Sequence, residues 1–416
     1  MAHGPIQLDT TLAWAKGGYT VPVELGSDPQ RVNLLLDSGS STLAVNASAY
    51  RPDRDRHLAA TVWAQDIRYG GGALAGPVLR SSLALGEGHH ARRIDDALFA
   101  LVETPGSLFR EADGIFGLAY RELDPAHDVE ALLRARGVSP ALSWPWPFDT
   151  GDASGAETFR TMLLQQPRVA LTPTFTALEE EGVVRNLFAL QVPRAVVHVL
   201  SDGASGHALA ADPLNRGKLV LGGGPEAQSL YQGAFQDVRV VHDLYYNANL
   251  RAIRVGDGAR IEAPPLAPSD TSAHGSNALL DTGSSFLVLE QSLFDALLDG
   301  LARHDPALPA LVAQSREALA RGQGLPVHAV DTRRWPDLHL HLESPQGGET
   351  TLRIAASHYW PRNALHAGQT LCLLMPQLPH WPAQSILGLP LFAGRYAVFD
   401  RRAYGAGVVR FAQAAA

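Results

Sequence analysis

The sequence predicts an all-β protein with a few short helices, built from two halves of one design. Three observations carry that prediction. Short apolar runs of strand length alternate with Gly-rich turns along most of the chain, and helical spacing is confined to a few segments. Two distant stretches are nearly the same: Leu34-Leu35-Leu36-Asp37-Ser38-Gly39-Ser40-Ser41-Thr42-Leu43 and Ala278-Leu279-Leu280-Asp281-Thr282-Gly283-Ser284-Ser285-Phe286-Leu287. Downstream of each, two bulky apolar residues precede a glycine, as Ile115-Phe116-Gly117 and as Ile386-Leu387-Gly388, so the repeat extends beyond the turns.

In chain order, Tyr19 to Leu25 alternates as a strand and turns through Gly26-Ser27-Asp28-Pro29 into Val32 to Leu36. Asp66-Ile67-Arg68-Tyr69-Gly70-Gly71-Gly72 reads as a hairpin with a glycine tip. A phosphate cradle is disfavoured there because no helix follows. Two readings remain, a plain surface hairpin and a mobile cover over a cleft with Tyr69 near its tip. Arg121 to Pro173 interrupts the repeat as an insertion. His127 to Ala135 has helical spacing, Ser143 to Pro147 and Asp152 to Gly155 read as loop, and Thr176 to Glu181 reads as a helix start. Leu187 to Val192 is a strand, residues 201–217 form a polar linker, and Lys218 to Gly224 resumes the β pattern. Helices are expected over Glu290 to Arg303 and Ala307 to Arg321, and closing strands at Arg395 to Asp400 and Gly407 to Phe411. The predicted division is residues 1–200, the linker, and residues 218–416.

Composition narrows the function. The chain has 416 residues, 46% hydrophobic and 18% charged, ordinary for a globular protein. A formal charge of −8 with no dense basic block argues against nucleic acid or anionic membrane as partner. No apolar run is long enough to cross a bilayer, and Met1 to Gly18 lacks the apolar core of a signal peptide. The single cysteine, Cys372, sits in an apolar run and reads as a small core residue; one thiol forms no internal disulfide, which suits a reducing compartment. His339, His341 and Glu343 share one face of a strand. That is a conceivable metal arrangement, but the alternation equally describes a half-exposed strand with leucines inward, the preferred reading.

The chemistry points to Asp37 and Asp281. A carboxylate set between apolar flanks is costly to bury unless it is paired or hydrogen-bonded. Two such sites in one chain suggest that each carboxyl solves the problem for the other.

Taken together, these segments resemble the two-lobed pepsin-type aspartic peptidases. The likeness rests on both Asp-Ser/Thr-Gly turns, Ile67-Arg68-Tyr69-Gly70, Asp113 to Tyr120, Leu219 to Gly223, Ile386 to Gly388 and Tyr396 to Arg401. It implies a bilobal acid-protease fold, two β-rich lobes related by a pseudo-twofold axis around a central cleft. Asp37 and Asp281 would be the catalytic pair, with no cofactor and no metal. Gly39 and Gly283 would allow close approach at the turns. Ser40 and Ser284 would hydrogen-bond the outer carboxylate oxygens, and Ser38 and Thr282 would lock the turns across the lobes. Tyr69, Gly70 and Gly71 would form the flap, and Leu108, Phe109 and Ile115 an apolar substrate pocket.

The implied activity is endopeptidase cleavage of polypeptides between bulky hydrophobic residues at acidic pH, inhibited by pepstatin-type compounds. The alternative is a non-catalytic pepsin-like binding or inhibitor protein using the same cleft. Lack of disulfides, signal peptide and prosegment resembles the bacterial, cytoplasmic branch of the family, and implies a cytoplasmic monomer with no membrane or nucleic-acid partner that needs no proteolytic activation. One departure stands out: Ala44 occupies the place of the tryptophan that usually holds the flap tyrosine, so Tyr69 is expected to be oriented less firmly or bonded elsewhere.

Overall fold

The computed structural model describes residues 4–69, 72–86, 91–104, 109–379 and 381–415. Strands take up 37% of the described residues and helices 22%, so the expected β-rich class is the observed one. The chain divides into two compact units, residues 1–8 with 20–184, and residues 9–19 with 185–416.

In the first unit the described strands form one continuous order: Arg168–Ala170, Pro125–Asp128, Ala59–Tyr69, Gly72–Leu85, Arg92–Val102, Leu43–Asn46, Gly114–Gly117, Gln30–Asp37 and Thr20–Leu25. The far end of Gly72–Leu85 also pairs with Thr20–Leu25, through Val23 opposite Leu85. Alternation decides which faces are buried: Val21, Val23 and Leu25, then Val32, Leu34 and Leu36, point into the core, while Arg31 is exposed. Gly114–Gly117 is buried throughout, as expected of a strand with neighbours on both edges and side chains packed on both faces.

The second unit repeats the central motif. In the first unit Gln30–Asp37 runs parallel to Gly114–Gly117, which is antiparallel to Leu43–Asn46, itself parallel to Arg92–Val102. In the second, Ala278–Leu280 runs parallel to Ser385–Leu387, which is antiparallel to Leu287–Leu289, itself parallel to Leu374–Pro376. Similar sequence has therefore produced the same four-strand weave twice. Around it the second unit adds the antiparallel strands Leu187–Val192 and Arg395–Asp400, paired with each other, and a four-stranded sheet containing Leu338–Glu343.

Most expected elements lie where the pattern puts them, including helices Gln291–His304 and Leu308–Ala320. Three differ. Asp152 to Gly155 is a helix start and not loop: the Asp152 carboxylate accepts from Gly155 N at 2.8 Å and opens helix Ala153–Leu163. The acidic run ending at Glu181 closes helix Thr174–Glu180 instead of opening it. Residues 201–217 contain helix Gly206–Ala211, capped by Ser205, and a short 3-10 turn at Pro213–Asn215.

Candidate functional site: the two Asp turns

Each Asp ends or immediately follows a buried strand and is held by the turn it opens. Asp37 is only 6% exposed, and its Oδ1 accepts from Gly39 N at 2.7 Å. Asp281, half-buried, accepts at Oδ1 from Gly283 N at 2.8 Å. These N–H groups orient each carboxylate.

The Gly-ending segments seat the turns. Leu118 N donates to Asp37 O at 2.7 Å and Ala119 N to Ser40 O at 2.8 Å. In the other unit Asp281 N donates to Leu387 O at 3.1 Å and Leu389 N to Ser284 O at 2.8 Å. The packing leaves no room for a side chain: a Cβ on Gly117 would lie 2.5 Å from Ser41 Cα, and one on Gly388 2.5 Å from Ser284 O. Two apolar residues anchor the segment in the core and the glycine lets the turn rest on it.

The serine hydroxyls depart from the arrangement the resemblance implied. Ser284 Oγ donates to Phe286 O at 3.1 Å and accepts from Phe286 N, closing its own turn instead of bonding the Asp281 carboxylate. Ser40 Oγ is buried without a hydrogen-bond partner of standard geometry among the described residues, as is the Tyr69 hydroxyl. The two face each other, with Thr42 beside them. Burial, and then the nearby Asp37 charge, push the Tyr69 phenol above its ordinary range, so Tyr69 stays a neutral donor. Ser38 and Thr282 are both buried, as are Phe109 and Ile115; Ile115 stands between Leu35 and Ala44 in the weave. Ser285, adjacent to Ser284, donates to Gly17 O at 2.5 Å. Gly70, Gly71 and Leu108 lie outside the described residues. The strands on either side of Gly70 and Gly71 are paired to the tip, Tyr69 opposite Gly72.

One titratable group beside Tyr69 escaped the sequence reading. Asp124, 5% exposed, accepts at Oδ1 from Thr42 Oγ1 at 3.0 Å and from Gln65 Nε2 at 2.8 Å. Burial pushes its carboxyl up to about 6, with those two hydrogen bonds opposing. In sequence it is one more acid at the mouth of an insertion, and no local signal separates it from Glu122.

Among the described residues no group of three His, Cys, Asp or Glu is disposed to hold a metal. His339 and His341 are half-buried on the outer face of their strand, His341 against Thr351 and Glu349, while Glu343 is buried between Arg239 and Arg251. Cys372 is buried, and burial pushes its thiol up to about 12.

Residues 198–414 match the family described as eukaryotic aspartyl protease, a stretch that takes in Asp281 but not Asp37. The chain is similar to a beta-secretase of Strongylocentrotus purpuratus, 22% identical over 412 residues, covering 94% of this chain and 66% of that protein. It is also similar to a gastricsin of Homo sapiens, 24% identical over 302 residues, 69% of this chain and 59% of the relative. A pepsin II-1 of Oryctolagus cuniculus is 25% identical over 284 residues, 65% of this chain and 54% of the relative. The chain thus spans between 54% and 66% of the length of these relatives.

Proposed function

Because the chain belongs to the aspartyl protease family, we propose that it is an aspartic endopeptidase that hydrolyses polypeptides with Asp37 and Asp281 as its catalytic pair. The single observation that carries this reading is the repetition of one turn geometry. In each unit a glycine N–H grips the Asp, and a second glycine-ending strand leaves space only for that turn.

Two carboxyls sharing one water cannot both ionise cheaply, so the pair holds one proton over a broad acid range. That proton belongs to the pair and not to either residue. The ionised member takes a proton from the water as its oxygen attacks the peptide carbonyl carbon. The protonated member donates to the carbonyl oxygen, giving a neutral gem-diol. Return of a proton to the nitrogen then breaks the C–N bond. No covalent intermediate forms. Tyr69 closes over the bound peptide as a neutral donor, and Ser38 and Thr282 support the turns from which the Asp side chains project. Phe109 and Ile115, with Leu108, favour bulky apolar residues beside the cleaved bond.

The test is digestion of a peptide library from pH 3 to 7, with and without pepstatin. Acid cleavage at bulky apolar pairs, blocked by pepstatin, is the expected result. Cleavage that persists undiminished in Asp37→Asn or Asp281→Asn would overturn the assignment.

A further inference from the structure

The segment with no counterpart in the repeat packs on the hairpin that carries Tyr69. Its base is closed: Arg168–Ala170 pairs with Pro125–Asp128, and Leu171 N donates to Asp124 O at 3.0 Å. Pro125–Asp128 in turn pairs with the hairpin strand, Trp63 opposite Asp128 and Ala64 opposite His127. Helix Ala153–Leu163 grips the same strand by two ion pairs, Arg160 to Asp66 and Glu157 to Arg68. The Asp66 side chain is only 5% exposed, so the first of these is shielded from solvent in a way the second is not. Ala64 and Ala75, one from each hairpin strand, are buried with Val129, Phe148, Phe159 and Leu163 of the insertion.

Asp124 stands at the point where this segment leaves the repeat. Its Oδ1 joins three pieces of chain: Thr42, just past the Asp37 turn; Gln65, four residues before Tyr69; and the insertion itself, since Gln65 Nε2 also donates to Pro125 O at 3.0 Å. A hairpin strand with solvent on its free edge opens at little cost, whereas one sealed by a buried hydrogen-bond junction and an apolar cluster opens only with its partners.

We propose that residues 124–171 form a brace that fixes the flap hairpin to the Asp37 turn, with Asp124 as the positioning residue at its joint. The brace places the Tyr69 hydroxyl against Ser40 and Thr42, a role that the missing side chain at Ala44 cannot fill. Its consequence for substrate rests on the peptidase reading; the brace itself does not. Over the acid range the Asp124 carboxyl is largely neutral and its Oδ1 still accepts from both donors, so an Asn amide oxygen reproduces the joint.

The experiment compares the full chain with Asp124→Ala, Asp124→Asn and Arg160→Ala at pH 5. The first readout is hydrogen exchange in peptides covering residues 59–69, measured without substrate. Asp124→Ala should speed exchange there by about 10-fold or more relative to residues 114–117, Arg160→Ala by less, and Asp124→Asn hardly at all. The second readout is cleavage of a fluorogenic peptide with bulky apolar residues at the cut bond. Asp124→Ala should raise KM by roughly 5–20-fold with kcat within about 3-fold, and Asp124→Asn should restore both. Unchanged exchange in Asp124→Ala, or an Asp124→Asn protein that behaves like it, overturns the brace. If Asp124→Ala does not fold, unchanged exchange in Arg160→Ala overturns it instead. A wild-type protein with no pepstatin-sensitive cleavage would sink the peptidase reading, while the exchange data still decide the brace.

Discussion

Replacing Asp124 with Asn should stabilise the first unit at neutral pH and leave it nearly unchanged at pH 4. The carboxyl is buried, and its pKa is carried from the model-compound value of 3.8 to about 6. The folded protein therefore binds this proton more tightly than the unfolded chain does. Stability from this group is fully present below pH 3.8 and is lost as pH rises through 6, amounting to about 3 kcal/mol at neutrality. The nearby Tyr69 phenol, raised by burial and then by the Asp37 charge, stays neutral across this range. Asn keeps the oxygen that accepts from Thr42 and Gln65 and carries no charge at any pH. Asp55 does not confuse the comparison. Its burial is outweighed by hydrogen bonds from Ser81, Tyr50, Ser27 and His57, which hold it near 2, outside the window. The assay is urea unfolding at pH 4, 5, 6 and 7, followed by exchange protection at residues 59–69 and 73–85, because two compact units need not unfold together. The variant should gain up to about 3 kcal/mol over wild type at pH 7 and less than about 1 at pH 4. A constant difference across that range would refute the reasoning, since it would mean that Asp124 carries the same charge throughout.

Further outcomes follow from the same geometry. Asp37→Asn and Asp281→Asn should each lower pepstatin-sensitive turnover at acid pH by at least roughly 10²–10⁴-fold, read as initial rates on one peptide, with the fold retained by circular dichroism. Gly117→Ala and Gly388→Ala should each cost roughly 2–4 kcal/mol in chemical denaturation, because the added methyl meets turn backbone that the weave holds in place. The Cys372 thiol, buried and raised to about 12, should resist a disulfide reagent at pH 8 in native protein and react at once in denaturant.

What the sequence determined by itself was everything carried by local pattern. The period of two marked the strands Thr20–Leu25 and Gln30–Asp37, and the period of 3.6 marked helices Gln291–His304 and Leu308–Ala320. The doubled Asp turn, with its later glycine, foretold a motif made twice, because a carboxylate at the end of an apolar strand admits few solutions. Tertiary structure decided which distant groups meet. It allotted residues 9–19 to the second unit and laid helix Ala153–Leu163 against the hairpin strand that carries Tyr69. It turned the Ser284 hydroxyl to Phe286 and brought Asp124 to Gln65 and Thr42, 59 and 82 residues away. Hydroxyls and carboxylates accept or donate in many directions, so their partners depend on how strands remote in sequence are stacked. No spacing rule along the chain encodes that choice.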